Sequence, residues 1–166
     1  MLSGRDGRAR YDALMLSLFL LRHGKSDWGA DFQGDHERPL KKRGIKAAKR
    51  MGDLLTSAGN APDVVLTSSA VRARTTAELA HEAGAWDCAI GVEGGLYDAT
   101  PNELLEPVRE HGAGERVLVV NHEPTCSGAV ATLCGGAPPV FPTAAARRAT
   151  EAANQQDQCK EALRAP

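Results

Sequence analysis

Three short segments of the sequence carry side chains that can bind a phosphoryl group and attack it. Arg22 and His23 follow one apolar run, Arg72 lies just beyond a second, and His122 ends a third. A guanidinium binds phosphate oxygens through paired hydrogen bonds. A neutral imidazole nitrogen can attack phosphorus and form a covalent intermediate. Together these residue types favour phosphoryl-transfer chemistry, provided that the fold brings them to one place.

Each segment follows a short apolar run that predicts a buried β-strand. Residues 16–21, 64–67 and 116–120 lack helical spacing and end at turn residues, as is typical of strands in a parallel sheet. The carboxyl ends of parallel strands meet at one edge of the sheet, where open α/β folds bind their ligands. We therefore expect the three segments to converge on one site.

Helical patterns alternate with these strands. Residues 44–58 are apolar at helical spacing and basic on the opposite face, and residues 70–84 and 125–135 also predict helices. Thr100 starts a capping-box pattern with a proline at the first helical position, and a weak edge strand is predicted near residues 89–92. The alternation predicts an α/β fold, a three-layer sandwich with a mostly parallel central sheet flanked by helices.

Composition limits the classes of partner. The net charge is −1 and only 4% of the 166 residues are aromatic, which argues against nucleic acid or an anionic membrane as partners. No run approaches the roughly 18 apolar residues that a membrane span needs. Residues 1–14 are polar and rich in Gly and Arg, so we expect a disordered extension without a signal peptide, and a cytoplasmic protein. The main domain is predicted over residues 15–143, followed by a tail over 144–166.

The four cysteines show no CxxC pair and no metal-finger spacing. We interpret them as free thiols and expect neither a metal nor an organic cofactor. His36, His81 and His111 belong to none of the three segments and are interpreted as surface or loop histidines.

Three motifs make the sequence resemble the histidine phosphatase superfamily, which includes the cofactor-dependent phosphoglycerate mutases. They are Arg22-His23-Gly24, the Ser-Ser-Ala-Val-Arg-Ala-Arg-Thr-Thr-Ala run at residues 68–77, and Val-Val-Asn-His-Glu-Pro at residues 119–124. Residues 35–40 and 96–99 are most similar to the compact SixA-type phosphohistidine phosphatases. The resemblance covers residues 16–143 and implies a phosphoglycerate mutase-like fold.

The resemblance implies a role for each matching residue. His23 would be the phosphorylated nucleophile, while Arg22, Arg72 and His122 would form the phosphate pocket. Arg38 resembles a further phosphate contact of the compact branch, with a structural salt bridge as the alternative.

The general acid is less clearly indicated. Larger members use a glutamate in the region that matches residues 96–98, which makes Asp98 the first candidate and Glu123 the second. A third reading needs no strong acid, because the imidazole released from a phosphohistidine leaves far more easily than an alkoxide.

The implied activity is that of a metal-independent phosphatase that works through a covalent phosphohistidine on His23 and acts on phosphohistidine in proteins. The alternatives are a phosphatase for a small phosphorylated metabolite and, from another class, a non-catalytic phosphate-binding module. A mutase is less favoured because little chain is available to enclose an intermediate. The oligomeric state is left open.

The sequence departs from the family pattern in three places. Asn121 replaces the glycine that usually precedes the second histidine, and Ser69 replaces a proline. The family runs into one more strand after residue 143, but residues 144–164 are polar, rich in Ala and Gln, and lack a β pattern. We expect a loose helix or a disordered segment there, and a missing edge strand.

Overall fold

The computed structural model describes residues 16–112, 115–150 and 162–164. Its centre is one six-stranded sheet. In chain order the strands are β1 (Ser17–Arg22), β2 (Val64–Ser68), β3 (Ile90–Glu93), β4 (Arg116–Asn121), β5 (Ala145–Thr150) and β6 (Ala162–Arg164). Across the sheet the order is β3-β2-β4-β1-β5-β6. The first four strands of this order are parallel, and β5 and β6 are each antiparallel to the preceding strand.

Helices cover both faces of the sheet. They are α1 (Lys42–Ser57), α2 (Val71–Gly84), α3 (Pro101–Leu105) and α4 (Thr125–Cys134), with 3-10 turns at Asp35–Glu37, Gly94–Leu96 and Pro107–Glu110. Buried residues of α1 and α2 share a core with one face of the sheet, and those of α3 and α4 share a core with the other. The predicted three-layer α/β fold is therefore confirmed, as is the capping box at Thr100.

The first strand, β1, is buried on both faces of the sheet up to the residue before His23. Leu18 and Leu20 face the core under α3 and α4, whereas Phe19 and Leu21 face the core under α1 and α2. All four side chains are at most 3% exposed. Full burial of such a side chain contributes about 1.5–3 kcal/mol. Both faces of β1 are thus anchored immediately before His23.

The C-terminal segment corrects one expectation. Residues 145–150 form β5, which pairs with β1 in the register Leu21↔Ala146, and residues 162–164 form β6. The expectation of a loose helix or disordered segment with a missing edge strand is therefore wrong for these residues, and residues 151–161 lie outside the described residues. The backbone groups on that side of β1 need partners because the strand is buried. Ala145 and Ala146 fit against the core because their side chains are small, being 5% and 0% exposed. The strand is selected by this neighbouring edge rather than by a β pattern of its own.

The structure bears differently on the expectations for the N-terminal extension, the cysteines and membrane-spanning segments. The proposed extension over residues 1–14 lies outside the described residues. The expectation of free thiols is confirmed for Cys88 and Cys126. It is wrong for Cys134, which is disulfide-bonded, and Cys159 lies outside the described residues. Within the described ranges, every helix is too short or too polar to cross a bilayer.

Candidate active site

Two histidines meet at the carboxyl edge of the sheet. His23 follows β1 and His122 follows β4, and these neighbouring parallel strands are in the register Arg22↔Asn121. The centroids of the two imidazole rings lie 5.1 Å apart. The two histidines are 99 positions apart in the chain, and the pairing of β1 with β4 brings them together. This is the convergence that the apolar runs predict.

A cavity of about 220 Å³ opens at the two rings. It is lined by Arg22, His23, Lys25, Ser26, Trp28, Arg38, Arg72, His122, Glu123 and Thr143. Four of these side chains are cationic and one is a carboxylate, so the cavity favours an anion. All three arginines predicted from the sequence line it.

His23 is held as a neutral ring with a defined tautomer. Its Nδ1 lies 2.7 Å from the carbonyl oxygen of Gly24. Because a carbonyl only accepts, Nδ1 carries the proton and Nε2 keeps its lone pair. Burial is the largest cause and lowers the pKa of His23; the Gly24 hydrogen bond raises it in part, the charges of Arg72, Arg22 and Arg38 lower it further, and the result is about 4. The ring is therefore neutral at pH 7, with Nε2 unprotonated.

Close packing of two glycines fixes the loop that carries His23. The Gly24 N–H donates to Thr76 Oγ1 of α2 at 3.0 Å. A Cβ added at Gly24 would lie 2.8 Å from the carbonyl oxygen of Gly44, in α1, and one at Gly44 would lie 2.3 Å from the carbonyl oxygen of Lys25. No side chain fits between the start of α1 and this loop.

His122 is held from the end of β2. Its Nε2 lies 2.8 Å from Ser68 Oγ, and its Nδ1 has no hydrogen-bond partner within the described part of the chain. Burial is the largest cause that lowers the pKa of His122, followed by the charges of His23 and Arg72, and the result is about 3. Both rings of the pair are thus neutral in the free protein at pH 7.

The arginines reach the cavity from three elements and are held differently. Arg22 donates from Nη1 to the carbonyl oxygen of Phe141 at 2.7 Å. Arg38 donates to Ser26 Oγ, and its guanidinium carbon lies 3.7 Å from the centroid of the Trp28 ring. Arg72, in the first turn of α2, is 5% exposed. The ion-pair alternative for Arg38 is observed, and because the residue also lines the cavity, its predicted phosphate contact stays a prediction.

The partner in that ion pair is Asp35, which the sequence reasoning missed. Asp35 Oδ1 accepts from Arg38 Nη2 at 2.7 Å, and Oδ2 accepts from Arg72 Nη2 at 2.8 Å. Tyr97 donates to the same Oδ2 at 3.2 Å. The available signal was the three-residue spacing between Asp35 and Arg38, which brings both side chains to one side of a single turn.

His36 lies in the loop between β1 and α1, in line with the expectation of a surface or loop histidine, but it also makes contacts across the site. It is partly buried, with Nε2 2.9 Å from Ser69 Oγ at the entry to α2. Its ring packs edge-on against Tyr97, with centroids 4.8 Å apart, and Tyr97 in turn lies 5.8 Å from His122. The loop between β1 and α1 is therefore fastened across the site.

The two candidate acids lie in different surroundings. Asp98 is exposed and is not among the residues that line the cavity, so the geometry gives its assignment as general acid no support. Glu123 does line the cavity, and its Oε2 accepts a hydrogen bond from Ser127 at 2.6 Å. Among the described residues, no group of three or more His, Cys, Asp or Glu side chains could hold a metal ion.

The site is a cationic cavity with paired histidines at the carboxyl edge of a three-layer α/β fold, an arrangement that suits phosphoryl transfer. Residues 18–98 match the family model described as the histidine phosphatase superfamily, branch 1. This match spans just under half of the chain, and together with the structural similarity below it makes the chain similar to members of the histidine phosphatase superfamily.

Two groups of relatives are similar in sequence to part of the chain. An uncharacterized protein of Mycobacterium tuberculosis is 41% identical over 108 residues, which cover 64% of this chain and 65% of that protein. A 2,3-bisphosphoglycerate-dependent phosphoglycerate mutase of Streptomyces avermitilis is 51% identical over 67 residues, 39% of this chain and 26% of the mutase. The chain thus matches just under two thirds of the first relative and about a quarter of the mutase.

Solved structures match over most of the chain. One from Agrobacterium tumefaciens, assigned as a phosphohistidine phosphatase SixA, has a TM-score of 0.78 at 26% identity, covering 90% of this chain and 97% of the other. The protein histidine phosphatase SixA complexed with tungstate has a TM-score of 0.74 at 27% identity, covering 89% and 96%. The compact SixA-type members are therefore similar to this chain in length as well as in fold.

Proposed function

We propose that this protein is a phosphatase that passes a phosphoryl group through Nε2 of His23 to water and acts on phosphohistidine in proteins. One observation carries the proposal. The nucleophilic nitrogen of His23 keeps its lone pair because Nδ1 donates its proton to the Gly24 carbonyl. It lies in a cavity lined by three arginines, so a phosphate bound by those arginines is next to a neutral, nucleophilic nitrogen.

In the first step, Nε2 of His23 forms a bond to phosphorus while the bond from phosphorus to the leaving group breaks. The imidazole gains positive charge as it does so. The Gly24 carbonyl stabilises that charge through the Nδ1–H. In the second step water attacks phosphorus, the bond to Nε2 breaks, and neutral His23 returns with release of inorganic phosphate.

The other side chains bind the three non-bridging oxygens. Arg22, Arg38 and Arg72 supply fixed positive charge in a cavity where burial strengthens electrostatic interactions. Ser68 Oγ accepts weakly from the Ala70 N–H at 3.3 Å and can give its own proton to Nε2 of His122. We therefore assign the proton of His122 to Nδ1, which is then a donor for a phosphoryl oxygen.

The leaving group decides how much an acid matters. An alkoxide needs a proton as it departs, whereas the imidazole of a phosphohistidine leaves with much less assistance. Glu123 is the acid candidate that lines the cavity, whereas Asp98 is exposed and is not among the lining residues. Since no carboxyl group contacts either histidine among the described residues, the site suits a phosphoramidate substrate better than an alkyl phosphate.

The similarity to SixA proteins supports a protein substrate. Three of the matching structures are of proteins assigned as SixA phosphohistidine phosphatases. The rim of the cavity is also open, since the lining residue Trp28 is 67% exposed. An open rim admits a side chain displayed on a folded protein.

The test compares substrates under metal-free conditions. Purified protein, treated with a chelator, is expected to hydrolyse an aryl phosphate and a chemically phosphorylated histidine-bearing protein, and to prefer the latter over phosphoserine and sugar phosphates. His23→Ala should abolish both reactions, whereas His111→Ala, a histidine outside the cavity lining, should retain them. Full activity of His23→Ala would refute the mechanism.

Each other outcome selects an alternative. Preference for one sugar phosphate would indicate a phosphatase for a small metabolite. Phosphate binding without turnover on any substrate would indicate a non-catalytic binding module. For the acid, Glu123→Gln should slow alkyl phosphate hydrolysis more than phosphohistidine hydrolysis, and Asp98→Asn should change neither. A selective loss in Asp98→Asn would restore the acid predicted from the sequence.

A further inference from the structure

The carboxylate of Asp35 joins two of the arginines that line the cavity. Arg38 donates to Oδ1 from Nε at 3.1 Å and from Nη2 at 2.7 Å, while Arg72 donates to Oδ2 from Nη2 at 2.8 Å. Arg72 also donates from Nη1 to the backbone carbonyl of Asp35 at 2.6 Å. One residue thus fixes both guanidiniums while using only part of their hydrogen-bonding capacity.

The remaining donors are left for a ligand. A guanidinium has five N–H groups, and Asp35 and Ser26 engage only some of those of Arg38. Nε of Arg72 is buried and has no hydrogen-bond partner within the described residues. Since both side chains are about 7% exposed, the unused donors cannot all be satisfied by bulk water. They are available to the oxygens of a bound phosphoryl group.

Charge explains why a carboxylate is needed at this position. Two guanidiniums held close together in a partly buried site repel each other more strongly than they would in water. Desolvation raises the pKa of Asp35, but hydrogen bonding from Arg38 and the charges of Arg72 and Arg38 outweigh it, so the pKa is lowered overall. Asp35 is therefore an anion throughout the neutral range, and it compensates the repulsion.

The carboxylate is itself held from outside the arginine pair. Tyr97 donates to Oδ2 at 3.2 Å. The next residue, His36, is tied to Ser69 at the start of α2 and packs against the Tyr97 ring. The 3-10 turn Asp35–Glu37 is thus fastened at two points, which keeps the carboxylate oriented.

We propose that Asp35 is a positioning residue, which presets Arg38 and Arg72 for the charge distribution of the phosphoryl-transfer transition state. The inference rests on the proposed function. A positioned donor contributes most where charge redistributes during the reaction, so its loss weakens transition-state binding more than ground-state binding. The competing possibility is that the Asp35 carboxylate binds Arg38 and Arg72 only in the free protein and is displaced when phosphate binds.

Asp35→Asn tests the proposal, because it keeps the shape of the side chain and removes its charge. We expect kcat for an aryl phosphate to fall by about tenfold or more with KM changed by less than about threefold. Calorimetry should show that orthovanadate, which takes up the five-coordinate geometry of the transition state, binds about tenfold more weakly, whereas inorganic phosphate changes by less than about threefold. Asp35→Glu should recover part of the loss.

Glu37→Gln is the matched control, because it removes the same charge from the same turn at an exposed residue. It should leave kcat and vanadate binding at the wild-type values. If Asp35→Asn binds vanadate and phosphate more tightly by the same factor and kcat is unchanged, the Asp35 carboxylate competes with the phosphoryl group. That result would overturn the proposal. Equal loss in Glu37→Gln, or unchanged kinetics with only a lower melting temperature, would also overturn it.

The wild-type measurements separate this proposal from the proposed function. If the wild-type protein hydrolyses phosphate esters and Asp35→Asn behaves identically, only the role of Asp35 fails. If the wild-type protein neither hydrolyses them nor binds vanadate, the proposed function fails and the role of Asp35 fails with it.

Discussion

Acid should destabilise this fold through the two histidines of the cavity. Both rings are neutral in the folded protein, because their pKa values are lowered from 6.5 to about 4 for His23 and to about 3 for His122. In the unfolded chain each ring binds a proton below about pH 6.5. Between these values the unfolded state binds more protons, so the free energy of unfolding falls as the pH falls.

The size of the effect follows from those pKa values. At pH 5 each ring costs about 2 kcal/mol of folding free energy relative to pH 8, and the pair costs about 4 kcal/mol. The contribution of His23 continues to fall until about pH 4, and that of His122 until about pH 3. Since small domains are stable by only about 5–15 kcal/mol, a loss of this size is readily measured.

Urea unfolding at pH 8, 6.5 and 5 provides the assay. The variants His23→Asn and His122→Asn each remove one of the two titrating rings. We expect the loss of unfolding free energy between pH 8 and pH 5 to be smaller by about 2 kcal/mol in each variant than in the wild-type protein. Identical losses in all three proteins would show that the cavity does not hold the rings neutral.

Three further predictions follow from contacts around the cavity. Gly44→Ala should lower the unfolding free energy by about 1–3 kcal/mol and slow aryl phosphate turnover, because its Cβ would lie 2.3 Å from the Lys25 carbonyl. Gly34→Ala, with nothing within 4 Å of the added Cβ, should change neither, and equal melting temperatures for the two variants would contradict this reasoning. Ser68→Ala removes the partner of His122 Nε2 and should lower kcat about tenfold at a stability cost of about 1 kcal/mol, whereas the exposed Ser57→Ala should keep the wild-type kcat. A chain that ends at Ala144 lacks β5 and should give no cooperative unfolding transition by circular dichroism; a wild-type midpoint would show that β1 does not need this strand.

Local pattern was sufficient to predict the elements that carry the histidines. The strands before His23 and His122 are continuous apolar runs because both of their faces are buried, and that burial is visible in sequence. Parallel pairing then places their ends together without further information. The cores on both faces and the arginine at the start of α2 follow from the same patterns.

Features that depend on distant partners could not be predicted in this way. The strand β5 has the composition of a polar helix or tail and becomes a strand because the edge of β1 is open to it. Asp35 acquires its role from Arg72, 37 positions away, and from Tyr97, 62 positions away. Neither contact leaves a periodic signal in a single sequence. The exposure of Asp98 likewise depends on how its loop folds.

The central claim is that His23 carries the phosphoryl group during turnover. The direct test is to quench the wild-type protein in alkali during hydrolysis of a labelled phosphohistidine-bearing protein and to locate acid-labile phosphate by peptide mass spectrometry. We predict phosphate on Nε2 of His23. The phosphate should be absent from His23→Asn under all conditions. In the control variant His111→Asn it should be present whenever substrate is supplied. Turnover by His23→Asn, or turnover by the wild-type protein with no label on the peptide that contains His23, would contradict it.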